Sequence, residues 1–495
     1  MRIPVSIRVY LRRFGSRRTV AADLKAGVTL GIESVPDGLA AGVLAGMNPL
    51  FGLNAYLVGT LAGALATGSV FMTVQATGAL AVIIEDVPQV HGPDGGAAMA
   101  TLTVMAGLIM LGLGIARLGS LVRFIPNAVL IGFVNAVAVN IVLGQLSNFT
   151  GFDGEGSNRL TRAFDTVLGL SHYSWPAVLV GVFTVGAILL LERTPLGALS
   201  LVVAVVAGSL LSLLFPEVAT IGDISDAPPA LPGFSLPDAS LAVALVIPAA
   251  AIALVGLVQG AAISGSIPNP DGRYPEASAD FRGQGIANIA AGMLQGMPVG
   301  GSMSGTALVR AAGAKTALAN LVAGVVMIVT ILLFSRFVGY IAMPTLAGLL
   351  ILVGVRTFKL HRVLLVWRTG VTQIAVFLVT FVLTLVIPLQ YAVIAGVGLS
   401  VILHVARQSN RVRVTQWTFE EDSSRPTETP APATINPGET VVLCPYGSLF
   451  FASAPSFRAQ LPTPSASRKT PQKAPPKARA SSSACAVPRS SESPF

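Results

Sequence analysis

The sequence predicts an all-α polytopic membrane protein with an incomplete α/β fragment near its C-terminal end. Three observations predict it. Apolar runs of about 20 residues, enough to span a bilayer as helix, recur from about residue 22 to about residue 407. Only 11% of the 495 residues are charged, 53% are hydrophobic and the mean hydropathy is +0.73, where an ordinary globular domain is about 25% charged. Third, two apolar segments are interrupted at depths where a membrane helix should be continuous. One break is the Gly- and Ser-rich stretch 297–316, MPVGGSMSGTALVRAAGAKT, and the other surrounds Gln75-Ala76-Thr77-Gly78.

Taken in order, the spans centre near residues 32, 58, 79, 107, 133, 184, 205, 252, 288, 308, 325, 348, 378 and 397. That is about 14 segments, of which hydropathy alone supports about 10–12. The third and tenth are the interrupted ones. Val70-Phe71-Met72-Thr73-Val74 is rich in β-branched and bulky residues and reads as extended chain. Gln75–Gly78 then opens a helix. Met297-Pro298-Val299-Gly300-Gly301 precedes Ser302-Met303-Ser304-Gly305-Thr306 in the same way. Matching interruptions in two halves point to an inverted-repeat transporter with repeats at about 20–215 and 238–407.

Charge placement supplies the orientation. Arg2, Arg8, Arg12, Arg13, Arg17, Arg18 and Lys25 precede or open the first span, while the connection 216–240 holds Glu217, Asp223, Asp226 and Asp238 and no basic residue. The positive-inside bias puts both termini in the cytoplasm of a multi-pass protein of the cell membrane. Residues 1–19 are then a basic cytoplasmic N-terminus, and no apolar stretch with a cleavage site reads as a signal peptide. The net charge of +9 is accounted for by these flanks and carries no nucleic-acid footprint. Cys444 and Cys485 lie beyond the last span, and His91, His172, His361 and His404 are scattered. No metal-ligand spacing, cofactor motif or acid–base constellation points to an enzyme.

Several residues are candidates for chemistry. Glu33 and Asp37 lie four apart in the first span, around Pro36, and so share a helix face. A carboxylate at mid-membrane costs roughly 2.5–3.5 kcal/mol, so the pair faces a cavity or a partner. It is either a coupling acid for a proton or cation, or a structural contact to broken backbone. The two helix starts offer backbone N–H groups beside the hydroxyls of Thr77, Ser302, Ser304 and Thr306. Such an end favours an anion by about 0.3–1 kcal/mol, and up to about 2 when partly buried. Alternatively, their small residues merely permit close helix packing. Gln259 lines the site from the eighth span or glues helices together. Arg310, about one turn into the tenth segment, either neutralises the anion or snorkels to the surface.

At these residues the chain resembles the SulP family of inorganic anion transporters, the sulfate-permease group, over about residues 20–461. Asp23-Leu24-Lys25-Ala26-Gly27, Pro36 and Ala45–Leu53 are similar to the family's first-span signature. Gly301–Ala307 followed by Ala312-Gly313-Ala314-Lys315-Thr316 resembles its tenth-span signature, and Tyr446-Gly447-Ser448-Leu449-Phe450-Phe451 the first hairpin of its cytoplasmic STAS domain. The resemblance implies a seven-plus-seven inverted repeat with two half-helices, core and gate domains, and a site between the third and tenth spans. It also implies elevator-like alternating access, commonly in a homodimer. Three departures stand out. Gly305 stands where many members carry arginine, and Ala76 where proline is usual. Gln259 stands near the acid of the sodium-coupled bicarbonate branch, so a proton carried by Glu33 or Asp37 is the alternative to sodium.

The implied function is secondary transport of a small oxyanion, sulfate first, with bicarbonate or a nucleobase–cation symporter of the same architecture as alternatives. The transmembrane domain is expected at 20–415, a flexible linker at 416–439, a partial STAS domain at 440–461 and a disordered tail at 462–495. The pattern stops after about Leu461, short of the roughly 100 residues that the resemblance implies for a STAS domain. A truncation or reading-frame change is the expected cause.

Overall fold

A computed structural model of the chain describes residues 12–15, 19–119, 127–156, 158–195, 197–223, 231–389, 412–419, 425–436, 438–447 and 453–464, with residues 391, 392, 395, 398, 402 and 449 besides. Contacts divide the chain into two units, Met1–Ile402 and Leu403–Phe495.

The first unit is helical. Its elements are α1 (Val20–Leu44), α2 (Pro49–Ala66), α3 (Gly78–Glu85), α4 (Gly95–Ile115), α5 (Asn127–Gly144), α6 (Leu146–Thr150), α7 (Arg159–Leu168), α8 (Trp175–Leu191), α9 (Ser200–Ser212), α10 (Ala242–Ser264), α11 (Ala277–Met293), α12 (Met303–Ala311), α13 (Leu318–Val338), α14 (Met343–Thr357), α15 (Leu360–Trp367) and α16 (Val371–Val386). Large apolar side chains such as Leu108, Leu190, Leu210, Val243 and Leu333 face outward, as expected of a surface solvated by lipid. Among the described residues four helices have the length and apolarity to cross a membrane: Pro49–Ala66, Gly95–Ile115, Asn127–Thr150 and Ala239–Ser264. Most of the segment expected near residue 397 lies outside the described residues.

Helices from both halves of the chain pack together. α1–α4 pack with α10–α13, chiefly through the α4–α11, α1–α13 and α2–α11 interfaces. α5, α8 and α9 pack instead with α14 and α16. The α1–α13 contact depends on two glycines one turn apart. A β-carbon on Gly27 would meet Ala319 O at 2.5 Å, and one on Gly31 would meet Ala323 O at 2.7 Å. Asp23 closes the same interface, accepting from Lys315 N at 2.7 Å, Thr316 N at 2.9 Å and Thr316 Oγ1 at 2.8 Å.

Between these helices lies a buried two-stranded sheet of β1 (Thr73–Gln75) and β2 (Gly300–Ser302). The strands run antiparallel with Thr73 opposite Ser302, Val74 opposite Gly301 and Gln75 opposite Gly300. Extended chain inside an apolar layer must have its backbone polar groups satisfied, and cross-pairing the two breaks satisfies one edge of each. Each strand feeds a short helix: α3 has 8 residues and α12 has 9. Helices of about 12–14 Å cover less than half of a bilayer core of about 30 Å.

The second unit holds a three-stranded antiparallel sheet, ordered β4–β3–β6, from β3 (Arg413–Thr418), β4 (Thr427–Pro430) and β6 (Val442–Tyr446). A parallel pair of β5 (Thr434–Ile435) and β7 (Thr463–Pro464), with the short α17 (Ala454–Arg458), completes it. Two expectations change. The boundary at 415/416 falls inside β3, and 416–439, read as a flexible linker, contributes β4 and β5. The β-branched and aromatic residues of RVTQWT favour the extended chain, and Thr427 and Thr429 complete the pairing. Ser448, Phe450 and Phe451 of the expected hairpin, and the tail beyond residue 464, lie outside the described residues.

Candidate functional site

The two helix starts meet through β1 and β2. Thr77 caps α3, its hydroxyl accepting from Leu80 N at 3.5 Å, and Ser302 caps α12, accepting from Gly305 N at 3.1 Å. Each cap leaves early amides of its helix without an intrahelical acceptor. Among the described residues no hydrogen bond reaches the amides of Gly78, Ala79, Met303 or Ser304. Ser302 Oγ and Ser304 Oγ lie 3.2 Å apart. Thr77 Oγ1 donates to Gln259 Oε1 at 3.1 Å, tying the α3 start to α10. Thr77, Gly78 and Gln259 are half-buried, and Met303 and Ser304 are exposed.

The remaining residues expected at the site take other places. Gln75 lies in β1 rather than at the helix opening, and it is buried with Ala76. Its Nε2 donates to Ser34 Oγ on α1 at 2.9 Å. Thr306 Oγ1 donates to Ser302 O at 2.6 Å and accepts from Thr73 N at 3.1 Å, so its hydroxyl holds the break together. Gly301 and Gly305 are buried. A β-carbon on Gly305 would lie 2.7 Å from Gln75 Oε1 and 3.2 Å from Ser302 Oγ, so the missing side chain makes room for Gln75. Arg310 is exposed, with its guanidinium 5.6 Å from the ring centroid of Phe71, a cation–π arrangement beside β1.

Glu33 and Asp37 flank Ser34 on α1, so the acids stand beside the residue that receives Gln75. Glu33 Oε2 is buried with no hydrogen-bond partner among the described residues. A buried carboxylate oxygen without a donor is costly as an anion, and a proton or cation would remove that cost.

Two clusters escaped the sequence reading. On α11, Asp280, Gln284 and Asn288 bond the backbone of the two breaks. At the far end of α3, Arg159 Nη2 pairs with Glu85 Oε2 at 2.9 Å and Asp86 Oδ1 at 3.0 Å, and donates to Val82 O at 2.9 Å. Asp86 Oδ2 also accepts from Leu389 N at 2.8 Å. A cavity of about 270 Å³ opens there, lined by Glu85, Ser147, Asp153, Arg159, Arg162 and their neighbours. It lies about 12 Å along α3 from the Thr77 end and is separate from the helix starts. The spacing of polar residues on α11 was legible in principle; the Arg159 cluster joins residues 73 positions apart and was not.

These features define a polytopic helical carrier, in which short helices start from paired strands inside the membrane layer. Residues 20–380 match the sulfate permease family, and the chain belongs to that family. It is therefore a multi-pass membrane transporter of anions and not an enzyme. A "Probable sulfate transporter" of Mycobacterium tuberculosis is 29% identical over 396 residues, covering 78% of this chain and 70% of that protein. The bicarbonate transporter BicA of Synechocystis is 28% identical over 405 residues, covering 79% of this chain and 71% of that protein. The fold is that of the murine solute carrier 26 family member A9 anion transporter in its inward-facing state. That match has a TM-score of 0.78 at 18% identity and covers 92% of this chain and 79% of that one.

Proposed function

We propose that the chain carries a small inorganic oxyanion, sulfate first, held between the starts of α3 and α12. The observation that carries this reading is the meeting of two capped helix ends whose early amides have no acceptor among the described residues, beside the Ser302–Ser304 hydroxyl pair. Helix N-termini favour negative charge without any arginine, and Arg310 is engaged with Phe71. The binding set is Gln75, Ala76, Thr77, Gly78, Gln259, Gly301, Ser302, Met303, Ser304, Gly305 and Thr306, with the early amides and the Ser302–Ser304 hydroxyl pair donating and the rest shaping the site. Relatives with sulfate and with bicarbonate in their names make bicarbonate the second reading.

In this reading α1–α4 with α10–α13 form the moving core, and α5–α9 with α14–α16 the gate, of a seven-plus-seven inverted repeat of about 14 spans. The core slides with its anion in an elevator-like cycle, both termini stay in the cytoplasm, and the unit is a homodimer. The unpartnered Glu33 oxygen, with Asp37 as its neighbour, supports a co-transported cation, and the uncharged Gln259 favours a proton over sodium. The sheet formed by described residues between 412 and 464 is read as STAS-like. Uptake of labelled sulfate and of labelled bicarbonate into proteoliposomes, under imposed proton or sodium gradients, tests the reading. Sulfate uptake driven by an inward proton gradient is expected; uptake of neither anion under any gradient would overturn it.

A further inference from the structure

Asp280, Gln284 and Asn288 are spaced four residues apart on α11, so they form one stripe on one helix face. All three are fully buried, a costly placement for polar groups unless each is hydrogen-bonded. Their partners are the backbones of the two chain breaks. Asp280 accepts from Ser69 N at 2.7 Å and from Ser69 Oγ at 2.6 Å, four residues before β1. Gln284 Oε1 accepts from Gly301 N at 3.1 Å, inside β2. Asn288 Oδ1 accepts from Val299 N at 2.9 Å while its Nδ2 donates to Val299 O at 2.7 Å.

The arrangement answers a specific deficit. β2 pairs with β1 along one edge, which leaves its other edge with N–H and C=O groups in a layer without water. Gln284 and Asn288 take that edge as a third strand would, with side-chain amides in place of backbone. Gly301 immediately precedes the cap Ser302, and Val299 lies three residues before it, so their placement sets where the α12 start points. Asp280 acts on the other break in the same way, through Ser69.

We propose that Asp280, Gln284 and Asn288 are positioning residues of the anion site: one face of α11 fixes the separation and aim of both helix starts without touching the anion. This rests on the reading that the anion lies between those starts. The stripe acts on affinity, because the donors it aims have to converge on one small ligand, and misplacement of the order of 1 Å is costly.

The test uses the full-length chain in proteoliposomes, with KM and Vmax for labelled sulfate normalised to folded protein. Gln284→Met keeps the length of the side chain and removes the acceptor for Gly301 N–H. Gln284→Glu keeps the acceptor and loses no bond seen here, since Gln284 Nε2 has no partner among the described residues. Gln284→Met is expected to raise KM roughly tenfold or more with a smaller change in Vmax, and Gln284→Glu, measured at a pH low enough to keep its buried carboxyl neutral, to restore it. If Gln284→Met yields no folded protein, Asn288→Leu, close in size and unable to bond Val299 N or O, is measured for the same rise. A variant that lowers only the amount of folded protein, with KM unchanged, overturns the proposal. Ser304→Asp is run beside it. If that variant keeps full sulfate affinity, the site assignment itself has failed; if it loses affinity while the stripe variants keep theirs, only the positioning role has.

Discussion

At the scale of single residues, Gly305 shows how one absent side chain shapes the α12 start. Its missing β-carbon leaves room for Gln75, which in turn reaches Ser34 between the two acids of α1. The closest obstacle to a side chain there is the end of a flexible glutamine, with Ser302 Oγ and Thr73 Cβ next at 3.2 and 3.3 Å, so Gly305→Arg is expected to fold with Gln75 displaced and a small shift of the cap. The added charge should raise preference for divalent sulfate over monovalent bicarbonate by about tenfold, the equivalent of about 1.4 kcal/mol. Competition uptake measures the ratio, and an unchanged ratio would mean that position 305 does not face the anion. In the proposed coupling Glu33 and Asp37 are expected to act unequally, because Glu33 Oε2 has no partner among the described residues. Glu33→Gln and Asp37→Asn are expected to flatten the pH dependence of uptake, one far more than the other. Two wild-type pH profiles would make the pair structural. The candidate residues of both helix starts were legible because glycine, serine and threonine inside an apolar run are a local signal. The strand position of Gln75 was not, since it depends on pairing with Gly300, far away in sequence.

At the scale of elements, α3 is held at both ends. Its start is tied to α10 through Thr77 and Gln259, and its end to α7 through Arg159. The Arg159 side chain is only 8% exposed and serves two carboxylates and a carbonyl. Removing one member of a buried ion pair strands the others, at a cost of up to about 3–5 kcal/mol. Arg159→Ala should therefore lower the melting temperature of the purified protein by several degrees, with Arg159→Lys intermediate. A melting curve superimposable on wild type would show that Glu85 and Asp86 find other partners. The short helices were legible as elements, since each begins at a Thr or Ser cap after an extended run. α7 was missed because its amphipathic face, capped by Asn158 and Thr161, has no spanning run of apolar residues.

At the scale of the whole molecule, the order of spans along the chain was readable from hydropathy, but the partition into two packed groups was not. That partition rests on contacts between halves, such as Gly27 and Gly31 of α1 against α13. The C-terminal unit was read as a hairpin after a linker, whereas its central strand is β3, with β4 and β6 on either side. Short strands with alternating polar residues carry little signal in a Pro- and Thr-rich stretch. Removal of residues 412–495 is expected to leave sulfate uptake and oligomeric state nearly unchanged. Size-exclusion chromatography with light scattering checks this; a dimer that becomes a monomer on truncation would assign the contact to the C-terminal unit.

The central claim is that neutral donors at two facing helix starts hold the anion. Ser304, exposed at the start of α12 and 3.2 Å from Ser302 Oγ, probes it with least damage to packing. Equilibrium binding of labelled sulfate to purified wild-type and Ser304→Asp chains, each checked for an unchanged melting temperature, is the direct measurement. A carboxylate there sets like charge against the anion, so binding should be lost while the fold is kept. Sulfate affinity equal to that of the wild type in a folded Ser304→Asp chain would contradict the account and move the site elsewhere.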